Sequence, residues 1–239
     1  MPVIYEPRGK ALEYSPLACN LYTGCSHACK YCYCPAIMRK TLAEWSSNPY
    51  PRTRIIKQVE KDAQKLNGDK REILFSFMSD PYQSEEAAFL TRQALNICEK
   101  YNLTPQVLTK AGFRTVKDFD ILKKNHWKFG STIIFRTEEM REEWEPGAPS
   151  ISSRYEAVKI ANKMGIYTWV SIEPVIDTEE ALKVIGDLLP FVDFWKIGKL
   201  NHFKEIENKI DWKQYLKDAE KLLTGKKYYI KKDLLKYKC

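Results

Sequence analysis

Short apolar runs alternate with longer amphipathic ones along most of this chain, and that alternation restricts the fold more than any other feature. Residues 72–78 (EILFSFM) are short, apolar and followed by Ser-Asp-Pro, the pattern of a buried strand. Residues 84–100 then read as a helix, with Ser84 as N-cap and Glu85 and Glu86 in its first turn. The same reasoning places strands at 17–22, 104–109, 128–135, 166–172 and 191–197, and helices at 115–125, 153–164 and 178–188. Six strands separated by helices imply parallel β-α-β units with right-handed crossovers. An open doubly wound sheet and an incomplete β/α barrel both satisfy this pattern, and periodicity does not separate them.

The chain has 239 residues, 44% of them hydrophobic and 29% charged, which suits a globular domain rather than a disordered one. The expectation is a single core domain over residues 1–239, with a basic, aromatic C-terminal extension from about residue 203. No apolar run approaches the roughly 18 residues of a membrane span. The first residues, MPVIYEPRGK, lack a signal-peptide pattern. A cytoplasmic protein with no membrane partner is expected. The net charge of +8 favours acidic partners such as nucleic acid.

Of seven cysteines, five crowd one stretch: Cys19, Cys25, Cys29, Cys32 and Cys34. In a cytosolic protein this points to metal or catalytic use rather than a disulfide framework. Residues 20–35 read NLYTGCSHACKYCYCP, so Cys25, Cys29 and Cys32 have CxxxCxxC spacing on a loop after a strand. Thiolates this close can wrap one face of an iron–sulfur cluster. Gly24 frees the backbone to turn just before the first of them. Three ligands rather than four leave one iron open to a small molecule. The competing reading is a non-catalytic zinc or iron–sulfur module that binds nucleic acid. Zinc would need two partners beyond Cys29 and Cys32, with His27 and Cys34 the nearest, and the usual distant second pair is missing. His27 is expected to face solvent or the backbone.

CxxxCxxC with an aromatic before its last Cys resembles the signature of radical S-adenosylmethionine (SAM) enzymes. From about residue 5 to 201 the chain is similar to the spore photoproduct lyase-like branch of that superfamily. The similarity runs through YEPRGKALEY, the cysteine loop, SDPYQ (79–83), LTKAGF (108–113), EPGAPS (145–150) with Arg154, and SIEPVID (171–177). It implies a partial (β/α)6 barrel, a [4Fe–4S] cluster on Cys25, Cys29 and Cys32, and SAM chelated at the open iron. It also implies a 5′-deoxyadenosyl radical that takes hydrogen from a substrate, and a reduced electron donor such as flavodoxin or ferredoxin.

Residue by residue, the resemblance places Ser79 and Asp80 at the methionine amino group, Lys110 near its carboxylate, and Ser131, beside Thr132, on the cofactor from the fourth strand. Tyr31 and Tyr33 would pack on the adenine or shield the cluster, with substrate contact or hydrogen relay open to Tyr33. Glu145 and Arg154 would form either a buried brace or a surface ion pair. Glu173 would meet the ribose or a substrate, or cap a helix.

The chain departs from that branch at Phe77, where spore photoproduct lyases carry a hydrogen-returning Cys; a phenyl ring has no such hydrogen to give. This argues against thymine-lesion repair by that route. Cys34 is the candidate substitute donor, its alternative being a packed, unreactive thiol. Cys98 is expected in a helix core, and Cys19 and Cys239 carry no motif. The final GKKYYIKKDLLKYKC, six lysines and three tyrosines against one acid, suits a DNA or RNA strand or, equally, a solvated terminal strand and helix.

Overall fold

The computed structural model describes residues 2–238. Among them are ten strands: β1 (Ile4–Tyr5), β2 (Leu17–Cys19), β3 (Tyr22–Thr23), β4 (Tyr50–Pro51), β5 (Glu72–Phe75), β6 (Thr104–Thr109), β7 (Lys128–Thr132), β8 (Thr168–Val175), β9 (Phe194–Lys199) and β10 (Lys227–Ile230). Eight of them form one sheet in the order β1-β2-β5-β6-β7-β8-β9-β10, while β3 and β4 pair separately. Apart from the antiparallel β1, every neighbour in the large sheet is parallel. Spatial order follows chain order without reversal, whereas a doubly wound sheet needs a reversal at its switch point. The fold is therefore the barrel type, left open between β1 and β10.

The six expected strands are present, and two more flank them. β1 has only two residues, too few to show a period. β10, KYYI, is solvated along its first half and buried only at Ile230, in keeping with the solvated terminal strand that its lysines allow. Boundaries moved where side chains redirect the backbone. The strand expected over 72–78 stops at Phe75, because Ser76 turns back to donate its hydroxyl to the Ser79 carbonyl at 2.7 Å. The helix expected over 115–125 opens as a 3-10 turn, Gly112–Asp118, before the α-helical Phe119–Lys124.

The Ser84 cap falls where the sequence put it, and the structure adds one at Asp177. Ser84 accepts from the Ala87 N–H at the start of Glu85–Lys100, and Asp177 accepts from Glu180 at the start of Thr178–Leu188. The core is apolar and closed: Phe75, Val107, Phe129, Ile172 and Ile197 are fully buried, as is Cys98 in its helix, and Cys19 in β2. Phe119 meets Phe129 edge to face with centroids 4.9 Å apart. No helix among the described residues is long and apolar enough to cross a membrane. Cys239 lies outside the described residues.

Parallel strands in one open barrel direct all their carboxyl ends to the same rim. The cysteine loop follows β2, the SDPYQ turn follows β5, Lys110 follows β6, and the residues after β7 and β8 complete the rim. Such a rim is where β/α barrels carry their chemistry.

Candidate functional site

The cysteine loop is held from two sides by segments far away in sequence. Gln83 clamps one side: its Oε1 accepts from the Ser26 N–H at 2.7 Å and its Nε2 donates to the Gly24 carbonyl at 3.3 Å. The 144–147 segment clamps the other, where the Lys30 N–H donates to Trp144 at 2.9 Å and the Gly147 N–H to His27 at 3.0 Å. Two glycines allow this closeness. A Cβ on Gly24 (φ +90°) would meet the Trp45 carbonyl at 2.7 Å, and one on Gly147 would meet the Ser26 carbonyl at 2.1 Å. Within the loop, the Cys32 N–H closes back on the Cys29 carbonyl at 3.0 Å.

All three thiols are free; Cys29 is buried, and Cys25 and Cys32 are partly accessible. Burial pushes the Cys25 thiol up and the Cys29 thiol to about 12. The Cys34 thiol hydrogen-bonds Cys32, which lowers Cys32 and raises Cys34. Soft sulfur donors on one pre-clamped loop, two of them reachable, fit an iron–sulfur cluster held by three ligands. Among the described residues, no three His, Cys, Asp or Glu side chains converge as the ligands of a single metal ion do.

Charge around the loop is arranged in a buried network. Glu145 accepts the Tyr31 hydroxyl and pairs with Arg154, both acid and base wholly buried. This settles the Glu145–Arg154 alternatives in favour of the buried brace. Burial alone would raise the Glu145 carboxyl, yet Arg154 and Lys110 hold it below its ordinary range. Lys110 places its ammonium 5.6 Å from the centre of the Tyr31 ring. Burial opposes its charge, but Cys29 and Glu145 outweigh that and raise it.

His27 corrects an expectation. Rather than facing solvent it is buried, with Nδ1 3.5 Å from Asp80 and Nε2 without a hydrogen-bond partner among the described residues. Its carbonyl does face the backbone, through Gly147. Burial lowers it to about 4, so it is neutral at pH 7. The cause is the 145–150 segment, which closes over a loop position that spacing alone leaves exposed.

The other expected site residues divide by what their polar atoms already touch. Asp80 accepts from the Tyr82 N–H at 2.8 Å, the Thr109 hydroxyl at 2.6 Å and the Lys110 N–H at 2.7 Å, making it a clamp between the ends of β5 and β6. Ser79 is buried with its hydroxyl 3.2 Å from that of Ser76. Ser131, also buried, donates to the Thr109 carbonyl at 3.3 Å. Tyr33 is 46% exposed and donates to the Phe77 carbonyl at 3.1 Å, so it shields less than Tyr31 does. Cys34 is buried, with its sulfur 3.6 Å from that same carbonyl.

Glu173 does not cap a helix. It lies inside the barrel, accepting from the Tyr14 hydroxyl and pairing with Lys231 at 2.9 Å. The lysine-rich terminus is thus partly structural: Lys231 is buried, and Tyr229 donates to Glu13 at 2.9 Å. Sequence reasoning also missed Gln83 and Asn20 as braces. Asn20 accepts from the N–H groups of Phe77 and Met78 at 2.8 and 3.0 Å. Gln83 closes the SDPYQ motif and Asn20 precedes the cysteine loop, but neither position carries a local signal of its distant partner.

A profile of the Radical SAM superfamily matches residues 19–189. The uncharacterized protein MJ0683 of Methanocaldococcus jannaschii is 30% identical over 234 residues, covering 89% of this chain and 87% of that protein. A solved spore photoproduct lyase variant superposes with a TM-score of 0.69 at 12% identity, covering 95% of this chain and 79% of that one. Streptococcus suis SuiB bound to S-adenosylmethionine superposes with a TM-score of 0.64 at 14% identity, covering 90% of this chain and 50% of that one.

Proposed function

Because the chain belongs to the Radical SAM superfamily, we propose that it is an enzyme that cleaves S-adenosylmethionine reductively at a [4Fe–4S] cluster on Cys25, Cys29 and Cys32. The observation that carries this reading is the three-thiol loop, pre-clamped by Gln83 and Gly147 beside the Lys110 ammonium. When bound, the cluster and SAM together supply an electron to a carbon–sulfur bond and a 5′-deoxyadenosyl radical for hydrogen abstraction.

The protein's own part is position, charge and exclusion of water. Lys110, a half-buried cation, is suited to a methionine carboxylate, since a charge-assisted bond is strong where water is scarce. The hydroxyl of Ser79 is suited to the amino group. Ser131 sits one strand further round the same rim. Asp80 contributes by fixing the backbone of Lys110. Tyr31, held by Glu145, covers one side of the cluster loop.

The proposed substrate is a nucleotide unit of DNA or RNA. Support comes from the net charge of +8 and from the likeness to spore photoproduct lyase, one solved form of which holds a dinucleoside spore photoproduct. Phe77 speaks against repair of that lesion by the same hydrogen-return route, so a different nucleotide reaction is proposed. The proposed electron source is a flavodoxin or ferredoxin.

Anaerobic reconstitution tests the reading. The expected outcome is protein-bound iron and sulfide, with 5′-deoxyadenosine formed from SAM under reductant. Replacing Cys25, Cys29 and Cys32 together by Ala removes both. Unchanged cleavage in that variant, or stoichiometric zinc in the anaerobically purified protein, overturns the proposal.

A further inference from the structure

The barrel has a second concavity at the opposite end from the cysteine loop. Its volume is about 630 Å³, within the range of small-molecule sites, and it is lined by the amino-terminal ends of the strands. Glu72 opens β5, Lys128 opens β7, Phe194 opens β9 and Lys227 opens β10. Nothing in the proposed SAM chemistry uses it.

Four lysines and the Trp169 indole N–H line this cavity with a single carboxylate, Glu72, to which Gln106 also donates at 3.0 Å. Lys128 is satisfied by Glu72, and Lys196 by the carbonyls of Glu13 at 2.7 Å and Tyr14 at 3.3 Å. Lys226 and Lys227, at the mouth, form no ion pair among the described residues. Trp169 lines the cavity at 2% exposure, and its Nε1–H has no acceptor among the described residues. The indole packs directly against Gly130, where a Cβ would come within 2.5 Å of that Nε1. A buried donor left unpaired is costly, and two adjacent lysines at the mouth with no carboxylate partner among the described residues are open to an anion. The remaining walls are flat: Tyr167 and Tyr228 flank the same opening.

We propose that this cavity binds a small anion carrying a flat ring, of the class of a nucleoside monophosphate. Lys226 and Lys227 meet the phosphate, Trp169 donates to a ring or ribose acceptor, and the tyrosines stack on the base. The site lies across the barrel from the cluster loop and is independent of the proposed radical reaction.

Calorimetric titration of the cluster-loaded protein with adenosine monophosphate tests this, with adenosine and inorganic phosphate as separate arms. One site is expected for the nucleotide, with adenosine and phosphate each at least about tenfold weaker, as the loss of a charge-assisted bond or a stacked ring implies. Saturating SAM leaves the affinity unchanged. Lys226→Glu with Lys227→Glu weakens it at least tenfold, whereas Lys57→Glu with Lys61→Glu, on a remote exposed helix face, does not. If the charge reversal lowers the melting temperature, Lys226→Ala with Lys227→Ala gives the same comparison. Displacement by SAM, equal loss in the remote variant, phosphate as tight as the nucleotide, or no binding overturns the proposal.

Discussion

Arg154 and Glu145 form an ion pair from which solvent is excluded on both sides, each side chain being 0% exposed. They stand nine residues apart, on the helix Ile151–Lys163 and at the end of the helix Glu138–Trp144. Arg154 also donates through Nε to the Pro149 carbonyl at 3.0 Å, and Glu145 takes the Tyr31 hydroxyl. One pair therefore folds the 145–150 segment onto the rim and fixes an aromatic beside Cys32.

Breaking that pair leaves an uncompensated buried charge. Arg154→Ala is expected to cost about 3–5 kcal/mol in urea unfolding. Glu145→Gln combined with Arg154→Met is expected to recover a substantial part, since both charges go together. A loss below about 1 kcal/mol in the single variant refutes the bracing role.

Gly147 is the point of closest approach between the cysteine loop and its clamp. Gly147→Ala forces the loop away from the 144–147 segment, given the 2.1 Å approach to Ser26. Iron bound after anaerobic reconstitution is expected to fall to less than half, while the circular dichroism of the barrel is retained. Full iron loading in the alanine variant contradicts a pre-clamped loop.

Lys196 gives a pH dependence of definite sign. Burial, with Lys231 adding to it, lowers its amine to about 8 from an ordinary 10.5. Between those values the unfolded chain binds more protons than the folded one, so stability from this group rises with pH. Its contribution is full above about 10.5 and lost as pH falls through 8. The difference in unfolding free energy between the parent and Lys196→Met is expected to grow in the parent's favour across that window. A flat difference curve disproves the shift.

Cys34 sits beside Phe77, whose carbonyl its sulfur approaches at 3.6 Å. As hydrogen donor it would pass the S–H hydrogen atom to a product radical and be left as a thiyl. Cys34→Ala is expected to leave 5′-deoxyadenosine formation intact while diverting the product, read by mass spectrometry with deuterated solvent. An unchanged product and unchanged deuterium content show that Cys34 is a packing thiol.

Spacing made the central features legible. Cys25, Cys29 and Cys32 are close in sequence and lie on one loop, and Ser84 caps its helix through a contact three residues long. The strand-end motifs, SDPYQ and LTKAGF among them, fell on one rim because parallel β-α-β units send every carboxyl end the same way. β10 and the short helix Lys232–Leu235 match the terminal strand and helix that the lysine-rich end allows, and only the buried Lys231 departs from a solvated end.

By itself the sequence determined the alternation of strands and helices, the three-thiol loop and the Ser84 cap, since each depends on neighbours within a turn or two, and its resemblance already pointed to the partial barrel. Only the tertiary structure decided that His27 is buried and neutral and that Lys231 points inward to Glu173. It also decided which residues clamp the loop: Ser26 finds Gln83 across 57 positions and Tyr31 finds Glu145 across 114. The reason is physical. A charge or amide is cheap in water and expensive when buried, so its role is fixed by which partner the packed fold brings to it, and no local periodicity records that partner.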